Sequence, residues 1–253
     1  MNYSEENLPP VLRAAFSTGE IALPNGASGQ KLESNVSPDE AVILYSVVRA
    51  LRPQSSAEIG LAQGASTVAI LQAIRDNGGG LLHVMDPFQA SYSNAGVAMV
   101  GAAGLESAWR FYRQFPEEVV PALPPLQFAF IDASHLFDLT LMEFVLVDKK
   151  LDVGGVIGFH DLWMPSLRKC IRYVLRNRAY KIHRPAAGPP PQRVWRQRRQ
   201  SLVGKLLNAM PASRRIFSQD ILLPWHSLGL GGNIAFLEKT APDDRDWRFH
   251  QSF

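Results

Sequence analysis

Glu58-Ile59-Gly60-Leu61-Ala62-Gln63-Gly64-Ala65-Ser66-Thr67 joins a short apolar segment to an apolar run of helical length. Glu58 closes the segment as the end of a strand, Gly60 and Gly64 bracket a tight turn, and Ser66 and Thr67 are placed to cap a helix from Val68 to Arg75. A strand-turn-helix of this kind points backbone N–H groups at a ligand, and glycine, having no Cβ, lets the ligand come close. The spacing is G-x-x-x-G, which departs from the dinucleotide fingerprint G-x-G-x-x-G at Ala62. Glu58 lies two positions before the first glycine, where it repels a pyrophosphate and favours a cationic group.

Outward from this turn the chain alternates strands and helices. Upstream, Ser37-Pro38-Asp39-Glu40 reads as an N-cap, a proline at the first helical position and an acidic first turn, opening a helix that runs to about Leu51 and stops before Pro53. Downstream, Asn77-Gly78-Gly79-Gly80 is a helix stop, and Leu81 to Met85 is a buried strand ending at Asp86. Trp109 to Phe115 reads as a third strand, with Trp109, Phe111 and Tyr112 taken as strand and core residues. Pro116 to Pro125 is a turn with a short helix, and Leu126 to Ile131 is a strongly apolar strand ending at Asp132. A helix over Asp138 to Lys150 leads to a strand, Val156 to Phe159, that ends at His160-Asp161. A helix Ser166 to Arg178, a short strand Tyr180 to His183 and a last strand Ile234 to Glu238 complete the pattern. The expected fold is α/β and Rossmann-like, a mostly parallel seven-stranded sheet flanked by helices. Glu58, Asp86, Asp132, His160 and Asp161 all fall at strand C-termini, the edge at which open α/β sheets bind ligands.

Composition sets the outer limits. A chain of 253 residues with 46% hydrophobic residues can bury one full core. Cys170 is the single cysteine, so an intrachain disulfide is excluded. Met1 to Pro10 has neither the basic nor the apolar region of a signal peptide, and no apolar run approaches a membrane-spanning length, so the expected location is cytoplasmic. The expected organisation is an N-terminal extension (1–36), a cofactor-binding core (37–183), a basic Pro-rich insert or lid (184–230), and the last strand with a C-terminal tail (231–253).

These residues resemble the class I S-adenosylmethionine (SAM)-dependent methyltransferases, in the O-methyltransferase branch that includes catechol O-methyltransferase. The motifs that carry the likeness are E-I-G-x-x-x-G-x-S at Glu58 to Ser66, Asp86 after the second strand, F-I-D-A-S-H at Phe130 to His135, and G-G-V-I-G-F-H-D at Gly154 to Asp161. SAM, with its ammonium and sulfonium, also suits the Glu58 turn better than NAD does. The resemblance implies that Glu58, Gly60, Gly64 and Ser66 hold the methionine portion, with Asp132 beside it, and that Asp86 bonds the ribose hydroxyls, a carboxylate being a good acceptor for a diol. It makes Asp132 a metal ligand in the branch that uses magnesium, with His160-Asp161 as its partners. His160 departs from the oxygen donors expected there and suits manganese, iron or zinc better than magnesium. His135 falls where relatives place a catalytic base, and an unperturbed imidazole is suited to take a hydroxyl proton near neutral pH. An adenine-stacking aromatic is expected near Phe88 or Tyr92.

The implied activity is transfer of a methyl group from SAM to a small-molecule acceptor hydroxyl, with S-adenosylhomocysteine (SAH) as product, by way of His135 and Asp132 and with or without a divalent ion (Mg or Mn). Two other classes stay open: a methyltransferase-fold binding or regulatory protein without turnover, and an enzyme directed to membrane or nucleic acid by its insert. Arg184 to Gln219 contains eight Lys or Arg and no Asp or Glu in a chain of net charge +3, so a basic stretch rides on a net acidic body and invites an anionic partner. A homo-oligomer is equally open at this level.

Overall fold

The computed structural model describes residues 3–21, 29–33, 35–185, 232–249 and 251–253. Seven strands form one sheet: β3 (Ser55–Ile59), β4 (Leu81–Met85), β5 (Trp109–Tyr112), β6 (Leu126–Ile131), β7 (Leu151–Phe159), β8 (Tyr180–His183) and β9 (Ala235–Lys239). Their order is β5-β4-β3-β6-β7-β9-β8. The first five are mutually parallel, while β9 runs antiparallel to both β7 and β8. The chain moves outward from β3 through β4 to β5, then returns to the other side of β3 with β6. The order therefore reverses between β3 and β6, which is where an α/β sheet opens a crevice at its carboxyl edge.

Alternation along the strands divides the core in two. Phe128 and Phe130 of β6 face one side with the helices α2 (Pro38–Leu51), α3 (Ala65–Asp76) and α4 (Ala95–Ala102). Ala129 and Ile131 face the other, with α5 (Pro116–Val119), α6 (Phe137–Asp148) and α7 (Pro165–Asn177). The N-terminal segment holds a helix, α1 (Pro10–Thr18), and a two-stranded ribbon, β1 (Glu20–Ile21) with β2 (Gln30–Lys31). Leu8, Leu12 and Ala15 are buried in the same core as α2 and α3. The far end of the sheet is fastened by Asp148, which accepts from Tyr180 Oη at 2.6 Å and from Arg178, while Lys239 Nζ donates to the carbonyls of Asp148 and Leu151 at 2.6 and 2.9 Å.

Several boundaries differ from those expected. β5 stops at Tyr112 rather than Phe115, and β7 begins at Leu151, ahead of the glycine pair, with a register shift opposite Leu126 and Phe128. α4 had no counterpart in the sequence reading, nor did α1, where a proline occupies the first helical position and Gly19 ends the helix at φ 72°. The Ser37 cap is as expected: Ser37 Oγ accepts from Glu40 N at 3.3 Å, and Glu40 Oε2 accepts from Ser37 N at 2.7 Å. Ser66 and Thr67 do not cap α3; the cap position is Gly64, in the left-handed region, and Ser66 Oγ donates instead to Glu58 Oε1 at 2.6 Å. Of the expected insert (184–230), residues 186–230 lie outside the described residues. Among the described residues no helix is long and apolar enough to cross a membrane.

Candidate functional site

The turn after β3 sits where β3 and β6 diverge. Gly60 has φ 99°, and a Cβ there would lie 2.1 Å from the carbonyl oxygen of Asp132, so the two strand ends touch backbone to backbone. Gly60→Ala is expected to cost about 2–3 kcal/mol, from the left-handed conformation and the collision together. A lowered urea midpoint at unchanged slope checks this. Ala62 stands where the dinucleotide fingerprint has its middle glycine, and it takes φ 43°, a glycine-like conformation. Gly64 was expected to leave room for a ligand. The structure gives another reason for it: at φ 85°, a Cβ would meet Gly96 Cα and O at 3.0 Å, so the glycine allows α4 to pack on the start of α3.

Asp86 ties this turn to the end of β4. Its Oδ2 accepts from Leu61 N at 3.2 Å, Ala62 N at 2.9 Å and Gln89 Nε2 at 2.8 Å, and its Oδ1 accepts from Phe88 N at 2.7 Å. Oδ2 is saturated, while Oδ1 keeps acceptor capacity. Glu58 is fully buried, its Oε2 has no hydrogen-bond partner, and burial pushes its carboxyl up to about 8 against the pull of Ser66 and Thr67.

A cavity of about 480 Å³ opens beside the turn. Gly60, Asp86 and Asp132 line it; Glu58, Gly64 and Ser66 do not, and support the turn from behind. Both aromatics suggested by the sequence, Phe88 and Tyr92, are in its wall, together with Met85, Phe115, Leu139 and Met142. Phe88 and Phe115 meet edge to face at 5.7 Å and are both exposed. Trp109 and Phe111 stack on each other at 5.4 Å and pack partly buried against the core, away from this cavity. Sequence reading missed Glu143 and Ser134, which line the cavity with buried side-chain oxygens that lack partners. Burial pushes the Glu143 carboxyl up to about 7. It is an acidic residue in a helix with little polar patterning, and no local signal marks it.

At the β6 and β7 ends, two carboxylates and two imidazoles alternate in a closed ring. His135 Nε2 lies 3.2 Å from Asp132 Oδ1 and 3.0 Å from Asp161 Oδ2; His160 Nδ1 lies 3.3 Å from Asp132 Oδ2 and 3.5 Å from Asp161 Oδ1. His135 and Asp161 both have left-handed backbone, φ 57° and 56°, which turns each side chain into the ring. Ser166 Oγ donates to the His135 carbonyl at 2.6 Å, and Trp163 Nε1 donates to Asp161 Oδ1 at 2.9 Å. Asn233, just before β9, donates to the same oxygen at 3.1 Å.

The protons follow the charges. Hydrogen bonds to Asp132 and then Asp161 raise His135 to about 9. Burial pulls His160 down, yet Asp132 and Glu40 outweigh it and carry that ring to about 10. Asp132 is pushed up by burial and held below the usual carboxylate range by His135 and His160, and Asp161 is lowered chiefly by His135. The sequence reading gave His135 an ordinary imidazole pKa; between two aspartates it keeps its proton well above neutrality.

The three groups whose ligand atoms converge, all within 4.8 Å of one another, are Asp132, His135 and Asp161. The set expected from sequence had His160 in place of His135. His160 reaches the same carboxylates by Nδ1, but its Nε2 faces Glu40 Oε2 at 3.3 Å, a residue the sequence places only in the acidic first turn of α2. Two carboxylate oxygens and one imidazole nitrogen suit manganese, iron or zinc better than magnesium.

A family described as a methyltransferase domain matches residues 57–162, from β3 through the β7 end of this ring. Tapetum-specific methyltransferase 1 of Arabidopsis thaliana is 28% identical over 148 residues, 55% of this chain and 60% of that protein, so the match spans less than two thirds of the relative. Two solved structures share the fold. A Podospora anserina methyltransferase with SAH bound has a TM-score of 0.56 and 13% identity, over 70% of this chain and 83% of that one. An O-methyltransferase from Bacillus cereus in complex with SAH has a TM-score of 0.54 and 16% identity, over 68% of this chain and 80% of that one. With this sheet order and the strand-end residues already placed, residues 57–162 are similar to a methyltransferase domain, and the chain has the Rossmann-like fold of the SAM-dependent methyltransferases.

Proposed function

We propose that this protein is a SAM-dependent O-methyltransferase acting on a small-molecule hydroxyl. The observation that carries this reading is the ring of Asp132, His135, Asp161 and His160 at the edge of the cavity beside the Gly60 turn. The cavity fits the methyl donor: its volume of about 480 Å³ is in the range of small-ligand sites. Its apolar walls, with unpartnered oxygens on Ser134 and Glu143, suit a flat heterocycle bearing an amino group. The spare capacity of Asp86 Oδ1 suits a ribose hydroxyl.

An acceptor hydroxyl at the ring would give its proton to His135 Nε2 in the deprotonated form of that imidazole. The acceptor oxygen attacks the sulfonium methyl in line; the new O–C bond forms as the C–S bond breaks, and its electron pair returns to sulfur, giving SAH. Asp132 Oδ1 and Asp161 Oδ2 both face that same nitrogen and stabilise the proton once it has been taken up. Positioning of two reactants supplies much of the acceleration in such a transfer. If the protein uses a divalent ion, Asp132, His135 and Asp161 would hold it, and its chemistry there would be to stabilise the acceptor oxygen as an anion.

Calorimetry tests the donor half of this reading. SAM and SAH are expected to bind with about micromolar Kd, on the order of −8 kcal/mol, and NAD not to bind. SAH release with a panel of sugar, phenol and polyketide hydroxyls tests the acceptor half. Binding of NAD in place of SAM and SAH would reject the reading outright. Tight SAM binding with no SAH formed on any acceptor would favour the binding-protein alternative.

A further inference from the structure

Glu40 is the third helical residue of α2, and its place in an acidic first turn accounts for it in the sequence. In the structure its Oε2 takes both Ser37 N at 2.7 Å and Ser37 Oγ at 2.8 Å, and the same oxygen lies 3.3 Å from His160 Nε2. A capping-box glutamate needs only its first turn and water. This side chain is 14% exposed and is aimed at a histidine 6% exposed, across the sheet edge from α2. We propose that Glu40 is a positioning residue of the site, holding the His160 ring by Nε2 so that Nδ1 faces Asp132 and Asp161.

The geometry leaves the ring one useful orientation. With the Nε2–H given to Glu40, Nδ1 lies 3.3 Å from Asp132 Oδ2 and 3.5 Å from Asp161 Oδ1. A flipped ring would turn carbon toward those carboxylates. Glu40 is itself anchored by the Ser37 bonds, so the imidazole is gripped by a fixed acceptor rather than a free surface carboxylate. Asn233 Nδ2 lies 3.2 Å from the same Nε2 and donates to Asp161, so the ring is bounded by α2, by β6 and by the start of β9. A carboxylate that accepts from the far nitrogen of a site histidine fixes its tautomer and tilt. Burial pushes Glu40 up, but His160 and Ser37 keep it ionised, as the role requires. The entry of α2 is thereby coupled to Asp132, and through it to His135.

The activity arm of the test rests on the methyltransferase reading; the spectroscopic arm does not. The full chain, labelled with ¹⁵N-histidine, is compared as wild type, Glu40→Ala, Glu40→Gln and Val48→Ala, with spectra taken in chelator and rates measured both in chelator and with added manganese. Val48→Ala truncates a fully buried α2 residue away from the ring and serves as the stability control. Glu40→Ala is expected to move the His160 ring nitrogen signals and to lower kcat by about 10-fold or more, the size usual when a site histidine loses its orienting partner, with the KM for SAM little changed. Glu40→Gln keeps an acceptor oxygen for the Nε2–H and is expected to restore most of both. Val48→Ala is expected to lower Tm while leaving the His160 signals and kcat in place. His160 signals in Glu40→Ala identical to wild type, with a loss of Tm alone, would reduce Glu40 to a cap and overturn the proposal. Absence of methyl transfer in wild type, with His160 signals that still respond to Glu40, would count against the assigned reaction and leave the coupling standing.

Discussion

Asp132→Asn is expected to lower the methyl-transfer rate about 10³-fold while SAM binding stays near wild type. Asparagine keeps the shape and the backbone contacts, namely the Asp132 N–H on the Ile59 carbonyl at 2.9 Å and the carbonyl pressed against Gly60. What is lost is the charge that faces His135 through Oδ1 and His160 through Oδ2. General-base catalysis contributes about 10²–10⁴, and an imidazole without its carboxylate is both mis-set and less basic. Both histidines should then release their protons at lower pH, because Asp132 is a main cause of each raised value. Single-turnover rates with saturating SAM give the first result, and ¹⁵N-histidine titration gives the second. If Asp132, His135 and Asp161 hold a divalent ion, chelator should slow wild type and have little further effect on Asp132→Asn. A variant retaining a tenth or more of the wild-type rate would move the chemistry away from the ring.

The elements that the sequence made legible share a property: their evidence is local. β4 and β6 are apolar runs closed by an aspartate, and the start of α2 has serine, proline and glutamate at set spacings. Strand-end polarity gathered Glu58, Asp86, Asp132, His160 and Asp161 to one edge because all five terminate parallel strands or the residues just after them. Contacts between distant segments were not legible. Glu40 was fully explained as part of an acidic first turn, so nothing suggested a partner 120 residues away. Asn233 carries no pattern, and α4, Ala-Gly-Val-Ala-Met-Val-Gly-Ala, has no polar face from which to read a helical period. Ser66 shows a local rule being overridden. A serine at the start of a helix predicts a cap, but a buried carboxylate at 2.6 Å competes for its hydroxyl. His135 could be placed from sequence but not titrated, because its proton affinity belongs to Asp132 and Asp161, which converge only when β6 and β7 are paired.

That shift sets the second large effect. If His135 is the base, kcat should rise with pH through about 9, well above the 6.5 of an isolated imidazole, since only the deprotonated ring accepts a proton. His135→Ala should lower kcat about 10²–10⁴-fold at the plateau and remove that limb, with cofactor affinity little changed. The same shift acts on stability with a fixed sign. The folded-state value lies above the unfolded one, so the folded protein holds the proton more tightly. The contribution is complete below about pH 6.5 and is lost as pH rises through about 9. Wild-type Tm should therefore fall between those two pH values, and His135→Ala should fall less over the same window. His160, raised to about 10 by the same aspartate and by Glu40, extends the decline in both proteins and supplies the residual slope. Two measurements separate a catalytic from a structural imidazole. A catalytic one takes the limb of the rate profile with it, whereas a structural one changes only the Tm profile. An unshifted limb near 9 in His135→Ala, with wild-type kcat, would assign the titration to another group and leave His135 as a structural counter-charge between Asp132 and Asp161.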